Sequence, residues 1–300
     1  MSYPIRNENK SLRSSKRQFL LTWLIPTLTG FFIFRIWPLL YGLYISFFNW
    51  DIFSTVQEFV GFDNYIKELN HPIFTIILKN TIVYAISVTI LGLIIAMVIA
   101  LLLNSIRKFQ SFFRAIYFLP YVTSMIAVSI IWMWLYQPQF GLFNAILKSS
   151  GFKPLGWLKS VSLAMPSIII MSVWRGVGFT FIILLAGLKN IPKQLYEAAS
   201  IDGANGWQQF KHITIPLLRP VILFVTVTGV MEGFHVFQQI YVMTDGGPLD
   251  STRVLAYRIF QLGFENLFFG RAAALAYILF VIVLIITLIQ FKIGETKWNY

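Results

Sequence analysis

The 300-residue chain has no cysteine. That excludes disulfides, thiol nucleophiles and Cys-ligated metals. Its three histidines, His71, His212 and His235, are scattered, so a histidine metal cluster is not expected. Charge is also scarce. Asp, Glu, Lys and Arg make up 12% of the residues, against about 25% in soluble domains. So few charges cannot cover a water-facing surface, and a soluble globule is excluded. Phosphate-binding sequence is missing too. No G-x-x-x-x-G-K-[ST] occurs, and Gly176-x-Gly178 lacks the third glycine of a dinucleotide loop. What the chain has instead is apolar surface, with 57% hydrophobic residues and a mean hydropathy of +0.71. Disorder, which needs low hydrophobicity, is excluded by the same figures.

A bilayer core is crossed by about 20 mostly apolar residues. Six stretches qualify, at about 19–44, 74–103, 112–136, 163–188, 217–243 and 271–291. The expected fold is therefore an all-α membrane protein with six transmembrane helices. Residues 1–18 read as a polar tail, 19–292 as the transmembrane domain and 293–300 as a second tail. The first apolar run is too long for a signal peptide, and no small-x-small cleavage site follows it. The net charge of +12 reads as cytoplasmic-loop bias, not as a nucleic-acid footprint. The N-terminal tail, the 104–114 and 189–220 loops and the C-terminal tail hold most of the basic residues, including Arg6, Arg107, Lys108 and Lys297. The positive-inside rule then places both termini in the cytoplasm. Trp50, Trp132, Trp134, Tyr136, Trp157 and Trp298 fall near the expected ends, where amphipathic rings favour the headgroup level.

Polar residues inside the spans are costly, at roughly 2.5–3.5 kcal/mol for a charge at mid-bilayer, so they face a cavity or a partner. Arg35 lies near one end of its span and can snorkel. Arg175, in Trp174-Arg175-Gly176-Val177-Gly178, lies halfway along the fourth span. Glu232 lies deep in the fifth, and on a continuous helix His235 and Gln239 would share its face. One reading is a structural Arg175–Glu232 pair joining two helices. The other is a polar pathway for a hydroxylated solute, in which Glu232, His235 and Gln239 bond hydroxyls while Trp174, Phe234 and Phe237 stack on sugar faces. Gly92, Ala96 and Ala100, spaced by four, permit close helix packing, within this chain or against a second membrane subunit.

The segment 189–216 reads as helix, turn, helix. Pro192 can start the first helix, Gly203 and Gly206 supply the turn, and Pro216 is expected to end the second helix before the fifth span. Tyr196, Trp207 and Phe210 are large apolar groups on this loop. They fit either an amphipathic hairpin on the lipid or a docking element for a soluble subunit.

Glu197, Ala198, Ala199, Gly203, Ile213 and Pro216 stand at the spacing of the EAA loop, and with Asp202, Ala204, Phe210 and Pro220 the segment resembles that loop in ABC importer permeases of the carbohydrate branch (maltose-type, multiple-sugar and glycerol-phosphate). Ile215 stands where the general pattern often has Leu. Pro38-Leu39-Leu40-Tyr41, Phe59-Val60-Gly61-Phe62-Asp63-Asn64-Tyr65, Thr244-Asp245-Gly246-Gly247-Pro248 and the start of the sixth span are also similar to that branch. The resemblance implies the compact six-helix, type I importer permease fold in a bacterial cytoplasmic membrane. It implies coupling through Glu197, Ala198, Ala199, Asp202, Gly203, Ala204, Phe210, Ile213 and Pro216 to two separate ATP-binding subunits, which carry ATP and Mg; this chain would hold no cofactor and no metal, and would itself not be an enzyme. A second, non-identical permease, an extracytoplasmic solute-binding protein and a sugar or oligosaccharide substrate complete the expected assembly. The competing class is an ion-coupled secondary transporter, which needs no docking loop and often shows inverted repeats; no such repeat is visible. A membrane enzyme would need clustered acid, base or metal groups, and the chain has none in sequence.

Overall fold

A computed structural model of the chain describes residues 8–51, 57–106 and 109–294, with side chains from Phe19 onward. Arg6, Arg107, Lys108, Lys297 and Trp298 lie outside the described residues. The fold is helical. α1 (Glu8–Phe31) passes through a π-helical turn (Phe32–Ile36) into α2 (Trp37–Ser46). The wide turn precedes Pro38, which has no N–H and whose ring would press on the preceding turn of a regular helix. The helix already starts at Glu8, inside the segment expected as a tail.

Beyond α2, a two-residue strand β1 (Phe48–Asn49) pairs antiparallel with β2 (Glu58–Phe59), and α3 (Asp63–Leu69) follows. α4 (Ile73–Ser105) and α8 (Ala164–Lys189) are long apolar helices. Between them lie α5 (Gln110–Val122), α6 (Met125–Leu135) and the short α7 (Leu142–Ser149). α9 (Lys193–Ile201), α10 (Gly206–Gln209), a π-helical turn (Phe210–Thr214) and α11 (Ile215–Phe234) come next. α12 (Gln238–Met243), α13 (Leu255–Phe260) with a π-helical turn (Gln261–Glu265), and α14 (Phe269–Gly294) complete the chain. Among the described residues, five helical stretches are long and apolar enough to cross a membrane, and six if α5 and α6 together form one span.

Two of the six expected crossings are broken. α5 and α6 meet at 94°, so residues 112–136 are not one straight helix. Pro120 weakens the end of α5, Thr123 Oγ1 donates to Pro120 O at 2.6 Å, and Thr123 and Ser124 turn to extended backbone. The fifth crossing ends as a helix at Phe234 and resumes at Gln238. Residues 217–243 are thus two helices, and Glu232 and Gln239 do not share one helical face.

The core is built on α4, α8 and α11. Ala96 and Ala100 are fully buried against Val177, Phe181, Leu184 and Leu185 of α8, so the small-residue stripe packs within the chain. Gly178 lets α8 lie on α5; a Cβ there would stand 1.8 Å from the Tyr117 carbonyl oxygen. A backbone atom cannot step aside as a side chain can. Gly178→Ala should therefore cost at least the roughly 1–3 kcal/mol of an overpacked core. A sharply reduced yield of folded protein and a lower melting temperature in detergent are expected, and wild-type stability would refute the contact.

The loops between spans are fastened by asparagine amides, two of them buried and that of Asn80 half-buried. Asn144 donates to Pro138 O and Leu155 O and accepts from Leu155 N and Trp157 Nε1, at 2.9–3.1 Å. Asn64 donates to Ser46 O and Phe48 O, each at 2.9 Å. Asn80 of α4 donates to Asp250 O and Arg253 O at 2.8 and 3.0 Å, tying the 244–254 loop to the body. Each amide closes a loop that would otherwise leave carbonyls unsatisfied.

Candidate functional site

Two constellations stand out, an elbow at one end of the molecule and a cavity among α4, α8 and α11. The elbow is a fastened helical hairpin. α9 starts after Pro192, whose extended backbone sets the entry. It ends in a Schellman motif. Gly203 takes φ +80°, its N–H bonds Ser200 O at 3.1 Å, and Ala204 N–H bonds Ala199 O at 2.8 Å. Left-handed backbone favours glycine, as the sequence predicts. A Cβ at Gly203 would meet nothing within 4 Å, so its role is conformational and not a close approach.

Asn205 and Gln208 then form a capping box that starts α10. Gln208 N–H donates to Asn205 Oδ1 at 2.9 Å, and Asn205 N–H donates to Gln208 Oε1 at 2.8 Å. The sequence signal was an Asn followed three residues later by a Gln, and the glycine turn obscured it. The two arms are tied by Tyr196 and Thr214, whose hydroxyls are 2.9 Å apart, and by Gln209, which donates to Ser200 Oγ at 2.9 Å.

Pro216 does not end a helix. The rod from Gly206 to Phe234 is continuous, because the π-helical turn just before Pro216 accommodates its ring and missing N–H. Glu197, Ala198, Asp202, Gly203 and Pro216 are exposed, while Ala199 and Ala204 are half-buried. Glu197 forms no ion pair among the described residues. Phe210 and Ile213 instead pack on the core beside Leu184, Leu185 and Leu218. The elbow thus has an outward face of small and acidic groups and an inward apolar face. Trp207 packs at a tilt against Phe210, ring centroids 5.5 Å apart, yet remains exposed.

The cavity has a volume of about 370 Å³, and Arg175, Glu232, His235, Phe237 and Gln239 all line it. That is within the size range of small-molecule sites. The break after Phe234 brings these residues together, since it turns Gln239 back toward α4. Gln239 Nε2 donates to Tyr84 Oη at 2.6 Å, Tyr84 donates to Ser172 Oγ at 2.8 Å, and Ser172 donates to Ile168 O at 2.8 Å. His235 Nδ1, 2.7 Å from Met231 O, donates to that carbonyl at the end of α11.

Arg175 does not pair with Glu232. Its guanidinium donates to Tyr121 O at 3.0 Å and Thr123 O at 3.2 Å, the carbonyls freed where α5 stops, and lies over the Tyr121 ring at 5.4 Å. A cation there also meets the negative end of the helix dipole. Arg175 therefore seals the broken third crossing. Two of the expected stacking rings lie elsewhere. Phe234 is buried in the core with Ile77, Ala85 and Leu275, and Trp174 packs at a tilt against Trp132, ring centroids 5.4 Å apart, on an apolar hollow with Leu91, Ile95 and Ile116. Tyr84, Thr89, Tyr121 and Ser172 line the cavity and were not singled out from sequence. Hydroxyl residues on apolar helices carry no periodic signal of their own.

Residues 89–292 match the family described as "Binding-protein-dependent transport system inner membrane component". The chain belongs to that family. It is 33% identical over 278 residues to the probable ABC transporter permease protein YurN of Bacillus subtilis (strain 168), covering 91% of this chain and 95% of that protein. It is 34% identical over 288 residues to the trehalose/maltose transport system permease protein MalF of Thermococcus litoralis, covering 95% of this chain and 96% of that protein. Among solved structures, a bacterial alginate ABC transporter in complex with alginate pentasaccharide-bound periplasmic protein matches at a TM-score of 0.82 and 26% identity, over 95% of this chain and 98% of that one. As an inner membrane component of this family, the chain is a multi-pass, helical transport protein with the ABC importer permease fold.

Proposed function

We propose that this chain is one permease of an ATP-driven sugar importer in a bacterial cytoplasmic membrane, with both termini in the cytoplasm. It forms half of the pathway beside a second permease, and the elbow seats on a separate ATP-binding subunit, one of two, which carries ATP and Mg. An extracytoplasmic binding protein delivers the sugar. The observation that carries the reading is the elbow. It is fastened on its inner side by Tyr196–Thr214 and Gln209–Ser200, while the side chains of Glu197, Ala198 and Asp202 are exposed, and neither carboxylate forms an ion pair among the described residues. Small residues beside an exposed carboxylate suit docking to a basic groove, and a chain without a nucleotide-binding loop needs an external source of energy. Glu197, Ala198, Ala199, Asp202, Gly203 and Ala204 supply the docking face, and Phe210, Ile213 and Pro216 hold it to the body.

Arg175, Glu232, His235, Phe237 and Gln239 belong to the pathway wall, with Trp174 and Phe234 as its supports. The relatives' names favour sugars, and the wall offers hydroxyl-bonding groups beside the aromatic rings of Tyr121, Phe179 and Phe237. An ion-coupled transporter would not require the outward elbow, and it is not favoured. The test is gentle detergent purification from the native host followed by reconstitution in liposomes. The expected result is a complex containing an ATPase, with sugar uptake that requires ATP. Uptake driven by an ion gradient in the purified chain alone would overturn the reading.

A further inference from the structure

The wall of the proposed pathway holds two opposite charges. Arg175 and Glu232 both line the cavity, but their situations differ. The guanidinium is held by two carbonyl oxygens and an aromatic face. The helix end it caps carries a partial charge of about −0.5, which offsets much of its field. Glu232 is exposed and has no hydrogen-bond donor and no ion pair among the described residues. His235 faces the same space with Nδ1 already committed to Met231 O. Close by, Thr89 is 8% exposed, and its Oγ1 is buried without a partner. Helical threonines normally return that bond to the preceding turn, as Thr81 does to Ile77 O at 2.6 Å. The cavity thus holds a free carboxylate and a free hydroxyl, and its single cation is already engaged.

We propose that Glu232 is a specificity determinant: the cavity accepts neutral or amine-bearing sugars and turns away anionic ones such as uronates and sugar phosphates. The carboxylate accepts hydrogen bonds from sugar hydroxyls or an ammonium group, Thr89 Oγ1 offers a further polar contact, and Tyr121 and Phe237 supply ring faces. An anionic sugar would be brought beside a carboxylate in a confined space, where like charges repel strongly.

This proposal rests on the pathway reading, so its test has one arm that does not depend on transport. Because the chain lacks cysteine, Gln238→Cys places a single thiol on the cavity wall of the intact complex in membrane vesicles. A cationic (trimethylammonium) and an anionic (sulfonate) methanethiosulfonate reagent are then compared, each normalised to its rate at a Leu249→Cys control, an exposed position of the 244–254 loop. A cleft of one sign raises counter-ion rates by about tenfold or more. The cationic reagent is expected to be favoured by about that factor, and adding Glu232→Gln should remove most of the preference. Equal rates, or a preference for the sulfonate, in the Glu232-containing protein would overturn the proposal even if Glu232→Gln failed to fold. In a second arm, uptake by the reconstituted complex is competed with maltose, chitobiose amine and digalacturonate supplied from the outside together with the binding protein. Charge preference in the thiol arm with no sugar uptake in the second would retain an anionic cavity while refuting the sugar pathway, and so separates the two failures.

Discussion

Glu197→Lys is expected to reduce ATP-driven uptake at least tenfold while leaving the chain inserted and folded. The side chain is exposed and makes no ion pair among the described residues, so the folded chain loses nothing by the exchange. Surface substitutions of that kind normally stay within about 0.5 kcal/mol. At a docking face the same exchange reverses a charge opposite a basic groove, and like charges across an interface cost several kcal/mol. The check pairs uptake in proteoliposomes with ATPase recovered on an affinity column carrying this chain. Both should fall together, with an unchanged melting temperature. Glu197→Gln should be milder, because it removes an attraction without adding a repulsion. Full uptake with the ATPase still bound in the lysine variant would remove the elbow from the coupling scheme.

Glu68→Ala should cause the largest loss of stability. Glu68 sits on α3 with its side chain only 2% exposed. Its carboxylate accepts from Arg271 Nε at 2.7 Å and pairs with a second Arg271 nitrogen, and Arg258 Nε lies 3.8 Å away. The three groups clamp α3, α13 and the start of α14 at one end of the molecule. Burial pulls the Arg258 guanidinium below its ordinary range, and Glu68 pulls it back toward the charged form. Removing the carboxylate leaves two guanidinium groups crowded without a counter-charge, and breaking such a pair costs roughly 3–5 kcal/mol. A melting temperature lowered by many degrees is expected. The double variant Glu68→Ala with Arg271→Leu should recover part of the loss, since it also removes one stranded charge. Equal stability of Glu68→Ala and the unsubstituted protein would show that the cluster contributes nothing.

The apolar rods and the elbow were legible in sequence because both rest on local rules. Twenty apolar residues span a bilayer wherever they occur, and the left-handed turn at Gly203 needs a glycine whatever surrounds it. The stripe of Ala96 and Ala100, which the sequence left open between packing within the chain and a second subunit, is buried within the chain. The breaks at Thr123–Ser124 and His235–Phe237 were not legible. Neither break carries the glycine punctuation of a turn, and the first is made tolerable by Arg175, which caps Tyr121 O from 54 residues away. Hence Arg175, read as a possible partner of Glu232, caps α5 instead, and Glu232 has no ion pair among the described residues. Glu68 counted only as one acid in a loop, because Arg271 stands 203 residues further on. Pro216 misled in the other direction. Its rule for ending helices is sound, but a π-helical turn five residues wide gives the ring its space.

That same turn has a mechanical consequence. By letting the helix pass Pro216 unbroken, it joins the elbow and the carboxylate of Glu232 in a single 29-residue shaft, roughly 43 Å long at the ordinary rise of a helix. A tilt imposed at Gly206 is carried to the far tip along one continuous helix. The first interruption along that line is the gap at His235–Phe237, on the wall of the cavity.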